Sequence, residues 1–227
     1  MILVCGTGRS GTLTWARYLA AAGVQSAHEP NADLIMLATP YWLAGGMGDS
    51  QHTAWLDSVQ WPAGSAFFMY AAMIQPLDRL KMPQWIWVQR DPYDTVASML
   101  HNNWYDPELD SRWPVLFSWP NLEAGGAVMV NTPRWAYRPA AWMVGEMTGR
   151  QWLNLPQIER CAWWVGWASR QMRTKLPPGR TLITDLEADH NPVLRKLGLP
   201  PVKRWRRNST PHGGLDDGQR SIVTGYL

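Results

Sequence analysis

Phenylalanine is scarce in this chain, with three residues, and cysteine scarcer, with two. Cys5 in an apolar run and Cys161 in a helical stretch, far apart and alone, exclude a disulfide-stapled secreted fold and predict buried free thiols in a reducing compartment. No run of about 18 apolar residues occurs, so no membrane-spanning helix is expected. The N-terminus lacks a basic region and enters an apolar run at once, so no secretory leader is expected and a cytoplasmic location is the default. The histidines, His28, His52, His101, His190 and His212, have no zinc-like spacing, and His52 reads as solvated surface. Strong charge is missing too: a net +3 suits a small anionic ligand but is too weak to argue for nucleic acid. Repeats and low-complexity tracts are absent.

What is present in excess is tryptophan, 16 residues among 227. Indole rings fill cores, and they also make platforms for sugars and other flat-faced ligands with an N–H to donate. Both uses stay open from the sequence. At this length the chain reads as one domain able to bury a sizeable core.

The stretch that organises the rest is MILVCGTGRSGTLTW at the N-terminus. Ile2 to Cys5 reads as a strand, Gly6, Gly8 and Gly11 as a turn, and Thr12 onward as a helix ending before Gly23. Strand, glycine-rich turn and helix in that order gather backbone N–H groups and a positive helix end around one point, a site for a phosphate-like anion. Arg9 adds a charge that can fork onto two oxygens. Gly6 and Gly11 have the spacing of a nucleotide triphosphatase loop. The next positions, however, are Thr12 and Leu13 instead of a lysine and a metal-binding hydroxyl. Such a loop is expected to hold its anion without a metal.

A second strand is expected over Val24–Ala27, leading to His28-Glu29-Pro30. Pro30 breaks regular structure and leaves His28 and Glu29 at a strand end, where ligands gather in parallel α/β sheets. Residues 31–64 read as helix and loop. Ala66–Tyr70 reads as a strand or the start of a helix, and Ile74–Leu80 as a helix. Trp85–Val88 is the clearest interior strand. It runs straight into Arg90-Asp91-Pro92 and a helix over Thr95–His101, with Pro92 in its first turn and Ser98 within reach of an anion shared with Arg90. Residues 102–155, dense in Trp, Pro and Gly, read as an acceptor-side lid. Pro156–Met172 reads as a helix, Arg180–Thr184 as the last strand and Asp185–Gly198 as an amphipathic helix. The tail is basic through Lys203–Arg207, then glycine-rich at Gly213-Gly214.

These two anion corners resemble those of the sulfotransferases that use 3′-phosphoadenosine 5′-phosphosulfate (PAPS). Arg9-Ser10-Gly11-Thr12 is similar to their phosphosulfate loop, a basic residue followed by Ser-Gly-Thr. Arg90-Asp91-Pro92, with Ser98 eight positions after the Arg, is similar to their 3′-phosphate site. LPQIERCAWWVGWASRQM and TLITDLEADHNPVLRKLGLP resemble the late helix, strand and closing helix of bacterial members. His28-Glu29-Pro30 resembles the Glu-Pro after the second strand of carbohydrate and bacterial members.

The resemblance implies a three-layer α/β/α fold with a central parallel sheet, related to that of the P-loop nucleotide triphosphatases, spanning 1–227 as a single domain. It implies PAPS as cosubstrate with no metal required, and a carbohydrate or other small hydroxyl acceptor. The cosubstrate would be held by Gly8, Arg9, Ser10, Gly11, Thr12, Leu13, Arg90 and Ser98. Arg206 and Arg207 stand in for the C-terminal Arg-Lys-Gly element of the cytosolic relatives. Arg9 would stabilise the departing phosphate, and Glu29, with His28 as competitor and His101 behind it, would be the base. Leu13 removes a hydroxyl that many relatives have, and Trp15 is one position beyond their adenine-stacking Trp. Two other readings stay open: a kinase or other nucleotide triphosphate-using enzyme with the same loop, and a non-catalytic nucleotide- or sugar-binding module.

Overall fold

Two stretches of the chain, Ile-Leu-Val-Cys at 2–5 and Gln-Trp-Ile-Trp-Val-Gln at 84–89, are nearly continuous apolar runs, as befits parallel strands covered on both faces. In the computed structural model, which describes residues 1–9, 11–106, 138–203 and 213–227, they lie side by side at the centre of a five-stranded sheet. Its strands are β1 (Ile2–Cys5), β2 (Ser26–His28), β3 (Gly64–Ala66), β4 (Gln84–Gln89) and β5 (Thr181–Asp185). The spatial order is β2-β3-β1-β4-β5 and every pairing is parallel.

Alternation along the strands divides the core in two. Leu3, Cys5, Trp85 and Trp87 face one side, and Val4, Ile86 and Val88 face the other. The second side is covered by α1 (Thr12–Ala21) through Trp15, Ala16 and Leu19, and by α8 (Asn191–Lys196) through Val193 and Leu194. The first side takes α2 (Ala32–Leu43), α3 (Asp49–Ser58), α4 (Ile74–Lys81) and α5 (Pro92–His101). It also takes Trp152 of α6 (Gly149–Asn154), the long α7 (Gln157–Lys175) and Val223 of α9 (Asp217–Thr224). The result is the expected three-layer α/β/α fold. No helix among the described residues is long and apolar enough to cross a membrane.

Several local expectations need correction. The helix expected over Asp185–Gly198 begins only at Asn191. The Asp185 carboxylate accepts from the Glu187 N–H at 2.8 Å and the Asp189 carboxylate from the Asn191 N–H at 3.0 Å, so local turns outcompete the helix there. The second strand begins at Ser26, because the Val24 N–H closes the end of α1 on the Leu19 carbonyl at 3.0 Å. His52 is fully buried, stacked on Trp42 at 4.2 Å and beside Trp55 at 5.7 Å between ring centroids. The unanticipated α9 carries a capping box, Asp216 with Gln219, that was readable in the sequence.

Residues 107–137 of the expected lid lie outside the described residues. Its described flanks are core: Trp104, Tyr105, Ala140, Ala141, Met143 and Trp152 are all buried. Tryptophan, left open between core and ligand duty, is largely core where described, since Trp15, Trp85, Trp87, Trp163, Trp164 and Trp167 are buried as well.

Met82, which ends α4, is 72 % exposed and sits in the left-handed region at φ 39°. A side chain there costs about 1–2 kcal/mol, against about 0.5–1 kcal/mol for the extra freedom glycine gives the unfolded chain. Met82→Gly should therefore stabilise the protein by up to about 1 kcal/mol. Chemical denaturation checks this, and a lower midpoint would contradict it.

Candidate active site

All five strands are parallel, so their carboxyl ends share one edge of the sheet, and three of the sequence signals converge on it. β1 runs into the glycine loop, β4 into Arg90 and β2 into Glu29. The loop turns through left-handed backbone at Gly8 (φ 77°), Arg9 (φ 52°) and Gly11 (φ 94°). Space also demands glycine here. A Cβ on Gly8 would stand 2.5 Å from the Trp104 ring, and one on Gly11 would stand 2.0 Å from Leu186 Cδ1. Gly11 supplies no capping side chain to α1, and no acidic residue stands in its first turn. The positive end of the helix is therefore neither capped by a side chain at Gly11 nor offset by an acidic one.

The two arginine corners meet. The Arg9 Nε donates to Ser98 Oγ at 3.2 Å, and the Arg90 Nη1 donates to the Arg9 carbonyl at 2.8 Å. Ser98 is buried on α5, two turns beyond Pro92. Partial burial lowers the pKa of the Arg9 guanidinium from its ordinary value, and the neighbouring positive charge of Arg90 lowers it further. Burial lowers Arg90 also, with Asp94 and Asp91 opposing the shift. The guanidinium groups of Arg9 and Arg90 thus stand close together at the carboxyl ends of β1 and β4, where their positive charges add.

The base candidates stand across the loop from them. His28 Nε2 lies 3.2 Å from Thr12 Oγ1 and 3.9 Å from Glu29 Oε1. Thr12, itself buried, thus links the anion loop to the end of β2. Burial, helped by the charge of Arg17, pushes His28 down to about 4, so its ring is neutral at physiological pH. Glu29 adopts a left-handed φ of 52° directly before Pro30, where extended backbone is preferred. Backbone held in such a region at a cleft is a mark of functional sites. Behind it lies a buried hydrogen bond between Ser65 Oγ and Tyr70 OH. Burial raises the Tyr70 phenol well above its ordinary range, and the charge of Glu29 adds to the rise.

Compared with family models, curated proteins and solved structures, the chain matches none of them. The function has to be read from the residues of the site itself.

The fold therefore brings together Gly8, Arg9, Gly11, Thr12, Arg90, Ser98, His28 and Glu29. Ser10, Arg206 and Arg207 lie outside the described residues. Leu13 is 44 % exposed in the first turn of α1, where only its backbone can serve an anion. Trp15 is fully buried against Tyr18 and His190 and is closed to an adenine ring. The sequence reading missed Trp104 and Leu186, which wall the loop glycines, and Arg17, whose charge acts on His28. Arg17 stands five positions after Thr12, outside the three- or four-residue spacing that brings helix side chains together, and gave no local signal. The two walls come from distant chain segments and carried no local signal. Among the described residues no group of three metal-ligating side chains forms.

His28 and the buried His52 share one consequence. Each has its pKa lowered from 6.5 to about 4, by burial first; Arg17 lowers His28 further and Asp49 partly opposes the shift at His52. Between those two values the unfolded chain binds protons that the folded chain refuses, so stability must fall as pH drops through that window. Calorimetric Tm should decline across it, and His52→Phe, which keeps the stacking, should make the decline shallower. A profile as steep as that of the parent would contradict the assignment.

Proposed function

We propose that this chain is a PAPS-dependent sulfotransferase that moves a sulfuryl group to a hydroxyl of a carbohydrate or other small acceptor. The observation that carries the reading is the joining of the two arginine corners, Arg90 Nη1 on the Arg9 carbonyl at 2.8 Å and Arg9 Nε on Ser98 at 3.2 Å. The 3′- and 5′-phosphates of such a nucleotide hang from one ribose, so a pair of arginines on adjoining strands can take one each. Bidentate contacts to phosphate are what guanidinium groups do best. Burial first and the charge of Arg90 second lower the pKa of Arg9, and a doubly anionic ligand would offset the repulsive part.

The chemistry follows from the same groups. In the in-line transfer, the acceptor oxygen forms a bond to sulfur while the bond from sulfur to the oxygen of the 5′-phosphate breaks. Negative charge grows on that leaving oxygen, beside the Arg9 guanidinium and the N–H groups that open α1. Fixed donors of this kind, placed where charge develops, are the largest contribution available to catalysis. The acceptor proton passes to Glu29, or to the neutral ring of His28 beside it. A positioned base contributes roughly 10²–10⁴-fold. Thr12 and Leu13, in place of the lysine and metal-binding hydroxyl of a nucleotide triphosphatase, speak for a bisphosphate nucleotide rather than ATP.

Calorimetric titration tests the reading. Adenosine 3′,5′-bisphosphate should bind without Mg2+ and ATP only weakly; the reverse preference would make the chain a triphosphate-using enzyme. Arg90→Ala should weaken the bisphosphate by on the order of 1.5–3 kcal/mol, and an unchanged affinity would remove Arg90 from the site. Glu29→Gln should lower turnover of labelled PAPS by about 10²-fold or more while leaving bisphosphate affinity nearly intact. Unaltered turnover would pass the role of base to His28.

A further inference from the structure

The loop that receives the anion is held from behind by a helix that none of its own residues predicts. Trp164, fully buried in the middle of α7, donates its indole N–H to the Thr7 carbonyl at 2.7 Å, across 157 positions of sequence. The same helix reaches the loop by a second route. Gln157 Nε2 and Cys161 Sγ both donate to the Trp104 carbonyl, at 2.9 and 3.3 Å. The ring of Trp104 in turn occupies the space a side chain on Gly8 would need. The turn that presents Trp104 has left-handed backbone on either side of it, at Asn103 (φ 52°) and Tyr105 (φ 55°). Such conformations persist only where the surroundings impose them.

We infer that α7 is the positioning element of the anion loop, with Trp164 as its positioning residue: the indole bond to the Thr7 carbonyl turns the Gly8 N–H toward the ligand. The inference rests on this loop being the anion site, and deepens that reading. The geometry is that of a trans peptide, which carries its carbonyl and its N–H on opposite sides. With the Thr7 carbonyl drawn toward α7, the Gly8 N–H is directed away from that helix. Gly8 stands in left-handed backbone where, with no Cβ, the peptide could otherwise rotate at little cost. The indole removes that freedom before the ligand arrives, and a preorganised donor needs no reorganisation when charge reaches it.

Trp163, the adjacent residue, supplies the control. It is equally buried, but its indole N–H donates to Glu146 Oε2 at 2.6 Å. Trp164→Phe and Trp163→Phe make the same chemical change one residue apart, and both should lower the melting temperature. Only Trp164→Phe should speed amide hydrogen exchange at Gly8 and Arg9, and weaken inorganic pyrophosphate and adenosine 3′,5′-bisphosphate, by about tenfold each. Trp163→Phe should leave loop exchange and both affinities within about twofold of the parent. Equal loop exchange in the two variants would overturn the inference. If Trp164→Phe does not fold, Gln157→Met at a half-buried position removes the stronger of the two donors to the Trp104 carbonyl, leaving Cys161, and should speed exchange at Gly8 in the same direction. Pyrophosphate binding that responds to Trp164→Phe, with no bisphosphate binding by the parent, would leave the positioning role standing and remove the sulfotransferase reading. No binding of either probe by the parent would remove both.

Discussion

One hydrogen bond, from the Arg90 guanidinium to the Arg9 carbonyl, ties together the ends of the two central strands. Everything proposed for the site depends on it, because it converts two separate basic corners into a single patch. Burial first, and the charge of Arg90 second, lower the pKa of Arg9, while Asp94 and Asp91 offset part of the burial shift at Arg90; arginine keeps its proton regardless. Holding these two positive charges near one another carries an electrostatic cost. A ligand with two negative groups on one small frame relieves that cost, whereas a single anion relieves only part of it.

Support for that patch comes from the aromatic residues. Phe68 packs between Trp104 and Trp164 behind the loop, its ring centred 5.1 Å from Trp104 and 5.9 Å from Trp164. Large flat side chains carry more buried area than leucine and meet in tilted or edge-on contacts of defined geometry. An indole can also donate a hydrogen bond from inside an apolar wall. At Trp164 that combination supplies a donor that phenylalanine, smaller and without an N–H, lacks. The wall has to be apolar toward the core and polar at one point toward the Thr7 carbonyl.

Much of this was legible in one dimension because the decisive signals are local. A strand followed by glycines and a helix needs only its own residues to be read, and so does Arg-Asp-Pro opening a helix, with Asp91 accepting from the Asp94 N–H at 2.9 Å. The unbroken apolar run Trp-Ile-Trp-Val of β4 announced a strand buried on both faces. Where the reading slipped, a partner distant in sequence or a competing local turn had decided the matter. His52 looked solvated because nothing within its own helix says that Trp42 of α2 will stack on it. The late helix was shortened by the carboxylates of Asp185 and Asp189, short side chains that satisfy backbone donors before a helix can.

By itself the sequence determined most of the element types, the parallel α/β class and the two arginine-bearing turns. Each of these depends on side-chain pattern and on backbone freedom within about ten consecutive residues. Only the tertiary structure decided that the corners touch, that His28 sits between Thr12 and Glu29, and that α7 grips the loop from behind. Those relations join residues up to 157 positions apart, and strand order, which creates them, is set by how whole faces pack rather than by any local preference.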